Sequence, residues 1–327
     1  MKIPLLSLVA VFSSAAFLSG AELRLGIIGT DTSHVVAFTK LLNHPEAPGH
    51  VAGARVVAVV KAHSDDIPSS FERAAGFEAT LEKEGVRFYE TIPALCAQVD
   101  GVLVESVDGR PHLEQARQVI AAGKPLFVDK PIGGTLRDAV EIFRLARAAG
   151  VPVFTSSAYR FYDSLVELRK TEIGEVRSAI SYGPASLEPH HPDLFWYGVH
   201  PTEALFTVMG RGCETVMRTT TQDTDVVVGT WKGGRVGVLH AVRTKPQPHR
   251  VLLFGSNGFA EQKAGGDSYA PLLGQIVQFF QSGVAPVSPA ETIEMFGFME
   301  AADESKRRGG APVGVGEVLA AAGYTAE

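Results

Sequence analysis

The chain has 327 residues, 45% of them hydrophobic and 20% charged, with a formal net charge of −6. This length suggests two domains of ordinary size, and the composition is that of a globular protein. The acidic balance gives no reason to expect nucleic acid, whose phosphates want a basic face, and beyond residue 21 nothing approaches the ~20 uninterrupted apolar residues of a bilayer span.

In chain order, the first pattern is Lys2, the apolar run Ile3–Leu18 and the small residues Ser19-Gly20-Ala21. A charged, an apolar and a small-residue segment in that order predict a Sec-type signal peptide over residues 1–21, with a mature start near Glu22 and a periplasmic or secreted location. The competing reading is an N-terminal anchor, weakened by Pro4, Ser7, Ser13 and Ser14 inside the run. After cleavage no membrane span is expected. Cys96 and Cys213 fall in different predicted domains, which favours two buried thiols over a disulfide.

From Leu23 to Thr155, short β-rich runs alternate with helical patterns. The runs 23–28, 55–60, 86–89, 101–105, 125–128 and 151–154 read as strands, and Ser33–Asn43, Pro93–Val99, Pro111–Ala122 and Leu136–Ala149 as helices. Apolar runs such as Gly101–Glu105 fit strands buried on both faces. The alternation predicts a doubly wound parallel sheet, a Rossmann domain over 22–156, with every strand's C-terminal end on one ligand-binding rim. The second half, 157–327, has another texture. Strands are expected at 176–182, 214–220, 225–231, 235–242 and 250–254, with helices at 160–170, 201–208, 272–281 and 292–306. Lys232-Gly233-Gly234 is a tight hairpin signal. This predicts an α+β domain with an open, mostly antiparallel sheet, serving substrate binding and assembly into a homo-oligomer.

The first strand–helix turn should carry Gly-x-Gly-x-x-Gly if a dinucleotide binds in the usual way. It reads Gly29-Thr30-Asp31-Thr32-Ser33-His34. Asp31 replaces the second glycine, where a carboxylate would repel a diphosphate. The alternative is that Asp31, Thr32 or Ser33 caps the helix, and both readings can hold together. After the second strand, Lys61 would favour a 2′-phosphate and hence NADP, or else is a solvent-facing lysine.

The run Gly123-Lys124-Pro125…Asp129-Lys130-Pro131 resembles the Ala-Gly-Lys…Glu-Lys-Pro motif of the Gfo/Idh/MocA sugar dehydrogenases. Tyr159-Arg160-Phe161, Glu172–Val176 and Gly198-Val199-His200 resemble three further motifs of that family, in order along nearly the whole mature chain. The resemblance implies NAD(P) as cofactor, held by Gly29–His34, Lys61, Ser106, His112, Lys130, Pro131 and Arg160. It implies that Lys130 touches nicotinamide and substrate and that His200 exchanges the proton of the reacting hydroxyl. An acid that supports the histidine in the family stands four residues earlier, where this chain has Trp196; Glu203 is a candidate substitute. A lysine leaving a strand end into a crevice suits polarisation or proton transfer on its own account, the alternative being a salt-bridged structural lysine. For His200 the alternative is a satisfied core histidine.

Arg160, His190, His191, Trp196 and Tyr197 are the candidate substrate contacts, for a carbohydrate or polyol. His190, His191, Asp193, His200 and Glu203 cluster in sequence but match no tight ligand spacing, so no metal is expected. Three readings follow: an NAD(P)-dependent carbohydrate or polyol oxidoreductase, a cofactor-assisted sugar lyase or hydrolase, and a carbohydrate- or partner-binding protein that kept the fold and lost the cofactor.

Overall fold

A computed structural model describes residues 22–245 and 248–325. The expected signal peptide at 1–21 lies outside the described residues. The first half runs β1 (Leu23–Ile28), α1 (Ser33–Asn43), β2 (Ala54–Val60), α2 (Pro68–Lys83), β3 (Arg87–Tyr89), α3 (Ile92–Cys96), β4 (Gly101–Val104), α4 (His112–Ala121), β5 (Leu126–Val128), α5 (Leu136–Ala149) and β6 (Val153–Phe154). Its six parallel strands are ordered 3-2-1-4-5-6. That is the doubly wound order, in which the strand order reverses beside β1 and opens a crevice at the strand C-termini. The central strands are apolar because helices cover both faces: all four residues of β4 are buried. α1 starts where Thr32 Oγ1 accepts the His34 amide, and α5 ends on Gly150 in the left-handed conformation.

A short 3-10 turn (Ala158–Phe161) leads into α6 (Asp163–Arg169), β7 (Val176–Pro184), α7 (Asp193–Trp196), α8 (Val199–Met209), β8 (Cys213–Thr220), β9 (Thr224–Trp231), β10 (Arg235–Val242), β11 (Arg250–Gly255), β12 (Phe259–Glu261), α9 (Ala270–Ser282), α10 (Pro289–Arg307), β13 (Val313–Gly314) and α11 (Val315–Ala321). The second sheet has the order 12-11-7-10-9-8-13, and among the described residues only β7–β10 pairs in parallel there. The β9–β10 hairpin turns at Gly233 and Gly234, whose φ of 76° and 75° a side chain would resist. α8 and α10 cover one face of this sheet. The other exposes Met217, Val228 and Phe254.

Two expectations need correction. The helix expected over 160–170 breaks at Tyr162 into the 3-10 turn and α6. The boundary at 156/157 also does not separate two packing units. Leu272, Ile276 and Phe279 of α9 share a core cluster with Leu25, Ile27 and Phe38 of the first sheet. The chain leaves the first domain after β6 and later returns one helix to it. Both cysteines are free and buried.

Candidate active site

The β4 and β5 C-termini and the start of α1 meet the second domain around a cavity of about 740 Å³. Among the residues lining it are Thr32, which caps α1, Ser33 and His34 from α1, Lys130 from the end of β5, and Trp196, Tyr197 and His200 from the second domain. Lys130 is carried past β5 by its neighbour's hydrogen bond, Asp129 Oδ1 accepting the Lys130 amide at 2.8 Å. Its Nζ sits 5.6 Å from the centre of the Tyr197 ring. His200 is the second residue of α8, a position that leaves its side chain at the helix mouth, and Pro201 follows where proline is tolerated. His200 Nδ1 and Ser157 Oγ lie 2.7 Å apart, and Ser157 Oγ also accepts the Tyr159 amide. Burial, reinforced by the positive charge of Lys130, holds the His200 imidazole well below the usual histidine range. It is therefore neutral at pH 7, with Nε2 left for a substrate.

Several expected site residues lie elsewhere. Arg160 is buried in an ion pair with Glu203 and a second one with Glu291 at 2.6 Å, and is not among the residues lining this cavity. Glu203 thus belongs to Arg160, Ser156 Oγ and the Ser157 amide, not to His200. The hydroxyl of Ser157 takes the place expected for that carboxylate. His190 is bound to Glu188 on the surface, and His191 is buried against Asp108 with its Nε2 accepting the Gly109 amide. Lys61 pairs with Glu78 at 2.7 Å. His112 clamps the Ser106 and Pro131 carbonyls beneath the rim. Pro131 follows Lys130 but does not reach the cavity.

Asp31 is the sharpest correction. Its carboxylate faces inward and accepts the Ser70 hydroxyl at 2.6 Å and the Val107 amide at 3.0 Å. It ties the β1–α1 turn to α2 and to the loop after β4, and does not aim at the space above the turn. Gly29 and Thr30 are likewise covered; a Cβ on Gly29 would come within 2.5 Å of the Ser106 amide nitrogen.

The residues present fit the diphosphate and nicotinamide portions of a dinucleotide. The first turn of α1, whose N–H groups lack intrahelical acceptors, opens on the cavity that holds Lys130 and His200. Toward β2 lies a second hollow of about 400 Å³, lined in part by Ala62, Ser64, Ser106 and Asp108. Ser106 and Asp108 face this hollow and Val107 the larger cavity, so one loop walls the two apart. Ile67 and Trp196 pack on Val107 from opposite domains.

Sequence reasoning did not single out Ser157, His249 or Tyr269, which also line the cavity. Nor did it single out Glu105 and Asp129 as a pair. Each directly follows a buried parallel strand, and that position on two neighbouring strands was a signal that both reach the rim.

A 3-2-1-4-5-6 parallel sheet whose rim closes against a mixed seven-stranded sheet defines a two-domain protein of the dinucleotide-binding class. Residues 23–157 match the model of the oxidoreductase family GFO_IDH_MocA, NAD-binding Rossmann fold. In that segment, residues 23–157, the chain is similar to the Gfo/Idh/MocA family. It is 31% identical over 162 residues to inositol 2-dehydrogenase of Paracoccus denitrificans, 48% of this chain and 43% of that one. The chain spans less than half the length of the curated relatives it matches, from 32% to 48%. Two solved structures share the fold. One is myo-inositol dehydrogenase from Lactobacillus casei in complex with NAD(H) and myo-inositol, with a TM-score of 0.73, 15% identity, and coverage of 89% of this chain and 96% of that chain. The other is an oxidoreductase from Agrobacterium radiobacter in complex with NAD+, L-tartaric acid and magnesium, with a TM-score of 0.72, 17% identity, and coverage of 91% and 100%.

Proposed function

We propose that this protein is a nicotinamide-dependent oxidoreductase acting on a carbohydrate or polyol. The observation that carries the reading is the meeting of Lys130, from the first domain, with His200, from the second, in one cavity at the N-terminus of α1. Bound nicotinamide would supply the hydride acceptor or donor. Lys130 donates a hydrogen bond to the reacting oxygen and favours its developing negative charge. Neutral His200 takes the hydroxyl proton at Nε2, its ring held by Ser157 at Nδ1. Trp196 and Tyr197 offer apolar ring faces to the C–H groups of a sugar or cyclitol. The inositol dehydrogenases among the relatives support a substrate with vicinal hydroxyls.

The covered Gly29–Asp31 turn and the wall at Val107 favour a second reading, a binding protein that kept the fold without the cofactor. Two further proposals concern context. The apolar outer face of the second sheet, with Met217, Val228 and Phe254 exposed, supports a homo-oligomer formed through it. The pattern of residues 1–21 supports export.

One preparation from native cells tests these readings together. Heat denaturation should release about one nicotinamide dinucleotide per chain, and the native protein should reduce NAD(P)+ with a cyclitol or sugar from a panel. Protein that releases none, binds neither NAD+ nor NADP+ by calorimetry and still binds a sugar would establish the second reading instead. The same sample should show a mature start near Glu22 and a light-scattering mass above one chain. An intact Met1 in the cytoplasmic fraction, or a monomeric mass, would overturn the corresponding proposal.

A further inference from the structure

Beneath the cavity, three ionisable side chains converge that the hydride-transfer reading does not use. His34 comes from α1, Glu105 follows β4 and Asp129 follows β5. One ligand-type atom from each lies within 4.8 Å of the others. His34 Nδ1 is 2.6 Å from Asp129 Oδ2 and 3.7 Å from Glu105 Oε2. Both carboxylates are sealed off, Glu105 at 0% exposure and Asp129 at 1%. Neither carboxylate oxygen of Glu105 has a hydrogen-bond partner. A buried carboxylate without a hydrogen bond is costly, and a second one beside it adds repulsion. The charges facing this pair are His34, Lys130 and, more distantly, Asp31. His34 also lines the cavity, so the cluster has one open side.

We propose that His34, Glu105 and Asp129 form a divalent-cation site on the cavity floor. One imidazole nitrogen and two carboxylates on three separate elements suit a first-row ion such as Mn²⁺ or Zn²⁺. The ion satisfies both orphaned oxygens of Glu105 and replaces the His34–Asp129 hydrogen bond with two metal bonds. Three protein ligands leave coordination positions toward the cavity, where two neighbouring substrate oxygens can bind as a chelate beside Lys130. The site stands apart from the cofactor question, since neither ligand set nor geometry depends on a dinucleotide.

The test uses the full mature protein, stripped with chelator and titrated with Mn²⁺ followed by electron paramagnetic resonance. Wild type should bind one Mn²⁺ per chain, with a nitrogen coupling from one coordinated imidazole, and Mn²⁺ should raise its melting temperature. Glu105→Gln and Asp129→Asn, checked for native circular dichroism, should weaken binding at least tenfold, since even outer-shell partners of metal ligands are worth about that much. The nitrogen coupling is read on wild type alone, so a variant that fails to fold leaves the test intact. No stoichiometric Mn²⁺ or Zn²⁺ on wild type, or equal binding by both folded variants, would overturn the site.

Discussion

Replacing Lys130 by methionine is expected to lower kcat for polyol oxidation by about 10²- to 10⁴-fold, the range for losing a positioned acid–base group. His200→Asn should cost a similar factor. The double variant should lose little more than the worse single one, because two groups acting on one proton and one oxygen are not additive. Methionine preserves the length of the lysine stem against Tyr197, so dinucleotide affinity should move far less than kcat. The pH profile adds an independent readout. The pKa of His200 is depressed by burial first and by Lys130 second. A depressed pKa keeps the base neutral as pH falls, so the acidic limb of kcat/KM should lie below the ordinary histidine value of ~6.5. In Lys130→Met the second cause is removed, and the limb should move toward neutral pH. An unchanged limb in that variant, or kcat within threefold of wild type, would remove both residues from the chemistry.

The largest expected effect on stability is at Arg218, which does not itself line that cavity. Its guanidinium is fully buried on β8 and bonds Asp225 at 2.9 Å, Asp193 at 2.8 Å and Asp303. Arg243 and Lys306 complete the cluster on Asp225 and Asp193. This network joins α7, β8, β9 and α10, and so fixes the segment that presents Trp196 to the cavity. Arg218→Met removes the central cation and strands buried carboxylates. Breaking a buried pair from one side costs about 3–5 kcal/mol. At roughly 2–4 °C per kcal/mol for a domain of 150–250 residues, a fall in melting temperature on the order of 10 °C is expected. The sign of the pH dependence follows from Asp303, whose carboxyl is pushed up to about 7 by burial. A folded-state pKa above the unfolded value gives stability that is present at low pH and lost as pH rises through the folded pKa. Arg218 holds Asp303 down, so without it that carboxyl rises further, and the deficit of the variant should shrink at pH 5 and be largest above pH 8. Calorimetric melting of both proteins across that range measures it, and a loss below 1 kcal/mol at pH 8 would contradict the account.

The sequence alone determined many of the elements and the rim on which Lys130 stands. Strand and helix periodicity placed β1, α1, α5 and β10 to the residue, because burial on one or both faces is written in the local pattern. The doubly wound order then put Lys130 on the rim, and the motif after Trp196 put His200 at the start of a helix. Polar partnership was decided only by the tertiary structure. Asp31 meets Val107 across 76 positions, Arg160 meets Glu203 across 43, and His34 meets Asp129 across 95. Periodicity reports whether a side chain is buried, not which distant charge will stand opposite it. A charge at a buried position can serve catalysis, a metal or an ion pair, and its partner selects among them. The return of α9 to the first sheet was hidden for the same reason. Its apolar stripe is legible in Leu272, Ile276 and Phe279, but a stripe does not say against which core it closes.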